Sequence, residues 1–276
     1  MRYVPAARAA QVGGDWYDAF LQPPGATVLV IGDVLGHDTS AAAAMGQVRT
    51  LVRAAAVMGE AGPAEVLRCT DAAMRTLGVT TTATAVVLRL EQEPAQVEAR
   101  TTTLRWSSAG HPPPLVLDPH GAVGVLGDDG QGGAALRWTR GDLLLGVEPA
   151  LPRHERALEV ARGTTVLLYT DGLVERRGES MAVGLERLLA VAGDVAGQQA
   201  SGDLAGGLDT FCDTVLARML PDRPQDDVAL VAVRLHPQDR PRPAEAGPQR
   251  LPDWAPEEPA VLPAARGDEE ASAGGA

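Results

Sequence analysis

Four acidic turns, widely separated in the sequence, carry side chains that could together bind a hard divalent metal ion. Asp15 follows a pair of glycines, and Asp33 closes an apolar run. Asp171 closes a second apolar run, whereas the adjacent Asp226 and Asp227 precede a third. Mg²⁺ and Mn²⁺ prefer carboxylate and water oxygens to nitrogen or sulfur ligands. The four turns therefore indicate metal-assisted chemistry on a phosphate group.

The surroundings of these aspartates favour a shared cation, although each one alone also fits an ordinary turn or a solvated loop. A charge at the end of a strand as apolar as Val28–Gly32 needs a partner, which a metal or a helix N-terminus would provide for Asp33. The neighbouring carboxylates of Asp226 and Asp227 repel each other, and a cation would relieve that cost. Asp18 is a weaker candidate, because strand alternation turns it away from the face of Asp15.

Composition excludes several other classes of function. The net charge is −12 and aromatic residues make up 3% of the chain, so neither nucleic acid nor an anionic membrane is an expected partner. All 24 basic residues apart from histidine are arginines. Without lysine the chain has no Walker A lysine, no kinase strand lysine and no Schiff-base lysine.

The elements that must position the aspartates are strands interrupted by two helical zones, a pattern that predicts antiparallel sheets covered by helices. The predicted strands are Trp16–Leu21, Thr27–Asp33, Thr82–Leu90, Val97–Ser108, Pro114–Leu117, His154–Val160, Thr164–Thr170 and Val228–Leu235. The predicted helices are Ala41–Met58, capped by Thr39 and Ser40, then Pro63–Leu77, Ser180–Val195 and Ser201–Leu220. Residues 118–142 are expected to form a variable loop that contains a short strand.

The chain divides into a folded domain over residues 1–236 and a tail over residues 237–276. The tail holds eight prolines, eight acidic residues and four arginines, without a periodic apolar pattern. Such a segment cannot bury enough surface to offset its ordering entropy, so we predict an acidic disordered tail. No signal peptide and no run of about 20 apolar residues is present, which favours a cytoplasmic location.

The acidic turns, together with a Gly-His-Pro turn, resemble the SpoIIE-like branch of the metal-dependent PPM phosphatases. The match follows the order of the family's motifs from about Arg2 to Leu235. The segments that carry it are Val12-Gly13-Gly14-Asp15-Trp16-Tyr17-Asp18, Ile31-Gly32-Asp33-Val34-Leu35-Gly36-His37, Ser108-Ala109-Gly110-His111-Pro112-Pro113, Leu168-Tyr169-Thr170-Asp171-Gly172-Leu173-Val174-Glu175 and Asp226-Asp227-Val228-Ala229-Leu230.

The resemblance implies an α+β fold, a four-layer α-β-β-α sandwich of two antiparallel sheets with two Mn²⁺ or Mg²⁺ ions at one edge. Asp15 would hold one ion and Asp33 would bridge both. The remaining implied ligands are the backbone carbonyl of Val34, Asp171 and Asp226, with Asp227 a weaker alternative to Asp226.

The resemblance also implies the reaction, which is hydrolysis of a phosphoserine or phosphothreonine ester by a metal-activated water. Asp15 and Asp33 would be the catalytic residues through that water, and no protein nucleophile is required. The implied substrate is a phosphorylated STAS-domain anti-sigma-factor antagonist, so the output would be sigma-factor regulation. A separate sensor or a dimer partner would control the activity.

Several positions depart from the family pattern. Leu35 stands where eukaryotic relatives have a candidate general-acid histidine, and His37 is displaced from it by two residues. Asp38 stands where many relatives have glycine, a position where aspartate can tolerate a left-handed backbone. His111 is expected to make a structural hydrogen bond, since a nitrogen ligand suits an oxygen cage poorly.

The chain also begins almost at the first metal motif, without the strand and helix that usually precede it in this branch. Two alternatives to an active phosphatase stay open, and the short N-terminus bears on the first of them. The first is a catalytically weak or inactive PPM-like regulatory binding module. The second is an unrelated two-metal hydrolase such as a nuclease, which the acidic charge and the missing basic groove disfavour.

Overall fold

In the part of the chain that this computed structural model describes, apolar runs of the sequence form ten strands in two antiparallel sheets. The described residues are 1–5, 13–22, 25–36, 38–127, 142–220, 224 and 226–236, and they belong to one compact unit. The strands are β1 Arg2–Val4, β2 Asp15–Gln22, β3 Ala26–Val34, β4 Ala83–Glu91, β5 Thr101–Ala109, β6 Leu115–Leu117, β7 Val123–Val125, β8 Arg156–Ala161, β9 Thr165–Tyr169 and β10 Val228–Arg234. The predicted tail over 237–276 lies outside the described residues.

Each sheet has five strands, and every pairing between named strands is antiparallel. One sheet has the order β2-β3-β4-β5-β8, and we call it the β3 sheet. The other has the order β1-β10-β9-β6-β7, and we call it the β9 sheet. The edge strand β1, which the sequence did not predict, pairs with β10 through Tyr3 opposite Ala229.

The described residues also form five α-helices, and the two long pairs cover the outer faces of the sheets. They are α1 Thr39–Val57, α2 Pro63–Leu77, α3 Pro94–Ala99, α4 Met181–Ser201 and α5 Leu208–Met219. The α1–α2 pair packs on the β3 sheet through a buried cluster that includes Val48, Val52 and Leu67. The α4–α5 pair packs on the β9 sheet through Leu188 and Phe211.

A third apolar cluster lies between the two sheets and holds them face to face. It joins Leu29, Ile31 and Val86 of the β3 sheet to Leu168 and Val231 of the β9 sheet. The order of layers is therefore helix, sheet, sheet, helix, and the predicted α-β-β-α sandwich is confirmed. Among the described residues, no helix is both long and apolar enough to span a bilayer.

The predicted strand Val97–Ser108 is wrong at its start, where the chain forms the short helix α3. Pro94 occupies the first turn, and the Glu93 backbone N–H donates to Gln96 Oε1 at 3.1 Å. Arg100 then adopts a left-handed backbone (φ 60°) that ends the helix before β5. Local capping outweighs the β propensity of this segment. The predicted helix Ser201–Leu220 is also wrong at its start, because α4 continues to Ser201 and α5 begins at Leu208.

Helix α1 is capped by Asp38 and not by the predicted Thr39 and Ser40. The Asp38 carboxylate accepts a hydrogen bond from the Ala41 backbone N–H at 2.8 Å. Its backbone is extended (φ −107°, ψ 179°) and does not use the left-handed conformation that aspartate can tolerate. An extended residue whose side chain accepts from the third residue of the helix is the preferred N-cap arrangement.

Removing this cap gives a first testable prediction. We expect Asp38→Ala to lower the free energy of unfolding by about 1 kcal/mol, because it leaves an N–H at the helix start without an acceptor. For a domain of this size that corresponds to a melting temperature lower by about 2–4 °C. Thermal denaturation would measure it, with Asp38→Ser as the control that retains a capping oxygen. Equal destabilisation by both changes would contradict the assignment of Asp38 as the cap.

Candidate metal centre

The register of the β3 sheet places Asp15 directly opposite Asp33. Asp15 begins β2 and pairs with Asp33 near the end of β3. Neighbours along these strands define the face, since Trp16 packs against the helices while Ile31 packs between the sheets. Strand alternation therefore turns both carboxylates to the inter-sheet face at one end of the sandwich.

The β9 sheet brings its own acidic turns to the same end. Asp171 starts a 3₁₀ turn just after β9, and the Asp226-Asp227 pair lies just before β10. Because β9 and β10 are antiparallel, the end of one adjoins the beginning of the other. A side chain at Gly172 would collide with the backbone carbonyl of Asp227, so glycine is required for this close approach.

Thr170 joins the two sheets at this point. Its hydroxyl donates to Asp15 Oδ2 at 2.7 Å and accepts from the Ala229 backbone N–H at 2.8 Å. Thr170 is fully buried, and its own backbone N–H donates to the Ala229 carbonyl at 3.1 Å. Thr170 was not predicted from the sequence, although its position just before Asp171, at the end of a buried strand, was an available signal.

The carboxylates are close enough to perturb one another. Burial, followed by the charge of Asp33, raises the pKa of Asp15 to about 9. Burial, followed by the charges of Asp171 and Asp226, raises the pKa of Asp33 to about 7. Burial and the neighbouring Asp226 raise the pKa of Asp171 to about 6. Acidic side chains from both sheets thus share one negative region.

Asp226 and Asp227 occupy different environments within this region. Asp226 is exposed, and its Oδ1 accepts from the Asp227 backbone N–H at 2.8 Å. Asp227 is buried beside Tyr3 and Gly13, and its charge contributes to the raised pKa of the Tyr3 hydroxyl after the larger effect of burial. The charge of Asp226 thus acts on Asp171 and Asp33, whereas Asp227 lies beside Tyr3 and its charge acts on Asp15 and, as the weakest of the listed neighbours, on Asp33.

The glycines before Asp15 leave room around the oxygen atoms. A methyl group at Gly14 would overlap the Val34 carbonyl oxygen and would lie 2.6 Å from Asp33 Oδ1. The Val34 backbone N–H donates to the Gly14 carbonyl at 3.1 Å, which holds the two segments together. The missing side chain therefore leaves a space lined by a carbonyl oxygen and a carboxylate oxygen.

The donors fit a hard cation in chemical type. As the side chains stand, no three Asp, Glu, His or Cys side chains of the described residues surround a single point closely enough to form a ligand set. The oxygens are nevertheless of the kind that Mg²⁺ and Mn²⁺ bind, and their mutual repulsion is what a cation would relieve. The space over Gly14 adds a backbone carbonyl to the same region.

A sequence profile described as Stage II sporulation protein E (SpoIIE) matches residues 23–236. The chain belongs to the SpoIIE family. The matched residues include the acidic turns at Asp33, Asp171 and Asp226. This agrees with the resemblance of the sequence motifs to the SpoIIE-like PPM phosphatases.

Solved structures support the same fold for this SpoIIE-family chain. The RsbU and RsbW domains of Rv1364c from Mycobacterium tuberculosis are 28% identical with a TM-score of 0.67, covering 87% of this chain and 59% of that one. The PP2C phosphatase domain and regulatory fragment of SpoIIE from Bacillus subtilis are 12% identical (TM-score 0.59), covering 85% and 62%. RsbX in complex with magnesium is 14% identical (TM-score 0.57), covering 85% and 92%. The chain thus spans less than two thirds of the first and second of these proteins.

His111 makes hydrogen bonds within the core next to the candidate metal centre. Its ring is buried, Nδ1 lies 2.8 Å from Thr84 Oγ1, and Nε2 lies 3.0 Å from the Tyr169 carbonyl. Burial lowers the pKa of His111 to about 3, so the ring is neutral at physiological pH. Nε2–H then donates to the carbonyl, and Nδ1 accepts from the threonine hydroxyl. The expected structural hydrogen bond is observed, and it ties β4 to the end of β9, two residues before Asp171.

Two further positions lie away from the shared region. Asp18 faces helix α1, where it accepts hydrogen bonds from Arg53 at 2.9 Å, as strand alternation predicted. Leu35 is exposed by 76% and presents only a hydrocarbon side chain beside the centre. His37, the displaced histidine, lies outside the described residues.

The Thr170 contacts lead to a second prediction. Thr170→Val keeps the side-chain shape but leaves the Ala229 N–H without its hydroxyl acceptor and removes a donor from Asp15. We expect the free energy of unfolding to fall by about 1–3 kcal/mol. We also expect Mn²⁺ affinity to weaken by about 10–100-fold, because a hydrogen bond that orients a ligand is lost.

Urea denaturation and calorimetric Mn²⁺ titration of the same preparations would measure both effects. Thr170→Ser is the matched control, since it retains the hydroxyl and loses a methyl group. A valine variant with wild-type metal affinity would show that Thr170 has no part in positioning Asp15.

Proposed function

We propose that this chain is a metal-dependent phosphoprotein phosphatase that hydrolyses phosphoserine or phosphothreonine with a water molecule as the nucleophile. The observation that carries the proposal is the meeting of Asp15, Asp33, Asp171 and Asp226 at one end of the sandwich, where burial and mutual repulsion raise the pKa values of the first three. Membership of the SpoIIE family supports the same class of reaction.

In this proposal Asp15, Asp33, the Val34 carbonyl, Asp171 and Asp226 hold two Mn²⁺ or Mg²⁺ ions, with Asp227 as a weaker ligand. Bound ions of this kind lower the pKa of water and neutralise charge on a phosphoryl group. Thr170 keeps Asp15 in place through its hydrogen bond. The exposed Leu35 has no proton to donate, so solvent protonates the leaving oxygen.

The proposed substrate is a phosphorylated STAS-domain anti-sigma-factor antagonist, with regulation by a separate sensor or a dimer partner. The similarity to the RsbU and RsbW domains of Rv1364c supports a place in sigma-factor control. The magnesium in the RsbX structure supports the choice of cation for this fold. The cytoplasmic location and the disordered tail over 237–276 stay predictions.

The deciding experiment measures phosphate release from p-nitrophenyl phosphate and from phosphorylated STAS proteins of the same genome. Each substrate is tested with Mn²⁺, with Mg²⁺ and with a chelator. We expect hydrolysis that requires the cation and that is faster for at least one STAS protein than for the others. If p-nitrophenyl phosphate alone is hydrolysed, the reaction class stands and the substrate assignment falls.

An inactive regulatory binding module is the second candidate function. It is favoured because no three potential ligand side chains of the described residues group around one point, and because Leu35 stands at the expected acid position. Under this alternative the chain binds a STAS protein but does not bind Mn²⁺ at millimolar concentration and releases no phosphate. Isothermal titration with the cation and with the protein partner would separate the two functions.

A further inference from the structure

A groove of about 680 Å³ opens beside the candidate metal centre, and we call it the α2 groove. Its walls are Leu35, the end of α2 with the residues that follow it, and the two residues Gly146 and Pro149. The Leu35 backbone N–H donates to the Thr82 carbonyl at 3.0 Å, which joins two of these walls. Since Leu35 is two residues from Asp33, the groove begins at the edge of the site.

The wall opposite α2 is held rigidly by a buried ion pair. Arg153 Nε lies 3.1 Å from Asp71 Oδ2 of α2, and both side chains are almost completely buried. Asp71 Oδ1 also accepts from the Gly146 backbone N–H at 2.8 Å. The neighbouring Leu145 backbone N–H donates to the Ala83 carbonyl at 2.9 Å, at the start of β4. The groove is therefore formed before any partner binds.

Leu35 is an exposed apolar side chain in the lining of the α2 groove, with 76% of its surface accessible. Leu77 and Val147, which are 66% and 50% exposed, are chain neighbours of the lining residues Gly78 and Gly146. A single exposed leucine needs no explanation, but exposed apolar side chains in and next to a concave surface indicate a partner site. Met74 and Val79 continue the apolar lining into the groove.

Among the described residues that line the α2 groove, one has a charged side chain, and it is Arg75. It lies in the last turn of α2, is exposed, and forms no ion pair with the described residues. The chain as a whole has a net charge of −12, and the adjacent centre is a group of carboxylates. An unpaired cation in such surroundings selects a partner that carries an acidic group at this point.

We propose that the α2 groove receives the polypeptide that flanks the phosphoresidue of a phosphoprotein substrate. An apolar side chain of that segment packs against Leu35, and an acidic side chain lies beside Arg75. The groove adjoins the site, so both contacts fall within a few residues of the phosphoresidue. This inference rests on the proposed phosphatase function and adds a specificity site to it.

Short phosphoserine peptides test the inference. One peptide carries leucine and glutamate near the phosphoserine, a second replaces the glutamate by lysine, and a third replaces the leucine by serine. The two positions are scanned on both sides of the phosphoserine. At one arrangement of leucine and glutamate around the phosphoserine, we expect kcat/KM to be about tenfold higher for the leucine–glutamate peptide than for either replacement peptide.

Charge reversal provides the decisive comparison. Arg75→Glu is expected to invert the preference, so that the lysine peptide becomes the better substrate, and Leu35→Ser is expected to remove the preference for leucine. Arg68→Glu is the matched control, since Arg68 is an exposed arginine of α2 that pairs with Glu65 and lies outside the groove lining. It should leave both preferences unchanged.

The outcomes separate this inference from the proposed function. If the wild-type protein hydrolyses p-nitrophenyl phosphate but treats all peptides alike, the groove assignment fails and the phosphatase stands. An unaltered preference in Arg75→Glu overturns the assignment in the same way. Absence of hydrolysis of every phosphoester, with folded protein and Mn²⁺ present, overturns both.

Discussion

Asp33→Asn is expected to lower Mn²⁺-dependent hydrolysis of p-nitrophenyl phosphate by about 10³-fold, which corresponds to about 4 kcal/mol in the activation barrier. Asp33 lies opposite Asp15 and faces the charges of Asp171 and Asp226. Asp33 is thus the carboxylate that interacts both with Asp15 of its own sheet and with the acidic turns of the other sheet. Asparagine keeps the size of the side chain but removes the negative charge that a cation needs. Steady-state phosphate release at saturating Mn²⁺ would measure the loss.

Asp18→Asn is the matched control for this variant, because Asp18 belongs to the same strand pair but faces helix α1 and pairs with Arg53. It is expected to lose some stability and to retain activity at a temperature where it is folded. Near-ultraviolet circular dichroism would confirm folding of both variants. The role of Asp33 would be refuted by wild-type activity in Asp33→Asn, or by an equal loss in folded Asp18→Asn.

The second large effect is a loss of stability with rising pH in the absence of metal. The pKa of Asp15 is raised to about 9 and that of Asp33 to about 7, whereas an aspartate in the unfolded chain has a pKa of about 3.9. Between these values the folded state keeps protons that the unfolded state has released. The free energy of unfolding therefore falls by about 1.4 kcal/mol per pH unit for each such proton. This stabilisation is complete at low pH and disappears as the pH rises through the folded pKa values.

His111 acts in the opposite direction at lower pH, which decides the range to be measured. Its pKa is lowered to about 3, so the unfolded state binds a proton that the folded state does not, and stability rises with pH up to about 6.5. Above pH 7 this contribution is complete and the aspartates dominate. We therefore expect the melting temperature in chelator to fall between pH 7 and pH 9.

A divalent cation should reverse the decline, because it stabilises the ionised carboxylates of the folded state. The increase in melting temperature on addition of Mn²⁺ is expected to be larger at pH 9 than at pH 7. Asp33→Asn should flatten the decline in chelator, since the charge of Asp33 helps to raise the pKa of Asp15. Differential scanning fluorimetry would measure all of these shifts. A melting temperature in chelator that is constant or rises over this range would contradict the raised pKa values.

Local signals predicted some elements closely, and competing local signals explain the errors. Helix α2 has the predicted bounds because Pro63 favours its first turn and Gly78 ends it in a left-handed conformation (φ 70°). Helix α1 begins two residues before its predicted start and ends one residue before its predicted end. Its cap is Asp38, since several residues before the helix could accept from a helical N–H. Strand β1 was not predicted, because three residues carry too little periodicity to indicate a strand.

The candidate site likewise has features that local sequence predicts and features that depend on tertiary contacts. The sequence alone determined which carboxylates are available, since Asp15, Asp33 and Asp171 each lie at a strand end, and alternation alone separated Asp18 from them. These are properties of one segment at a time. They do not depend on the partner of any strand.

Only the tertiary structure decided how the segments meet. The register that sets Asp15 opposite Asp33, the Thr170 hydroxyl between the two sheets, and the different surroundings of Asp226 and Asp227 all depend on contacts between residues far apart in the chain. The α2 groove likewise exists because the Asp71–Arg153 pair holds two distant segments together. Hydrophobic periodicity specifies which face of a strand is buried, but the partner and register are chosen by packing over the whole sandwich.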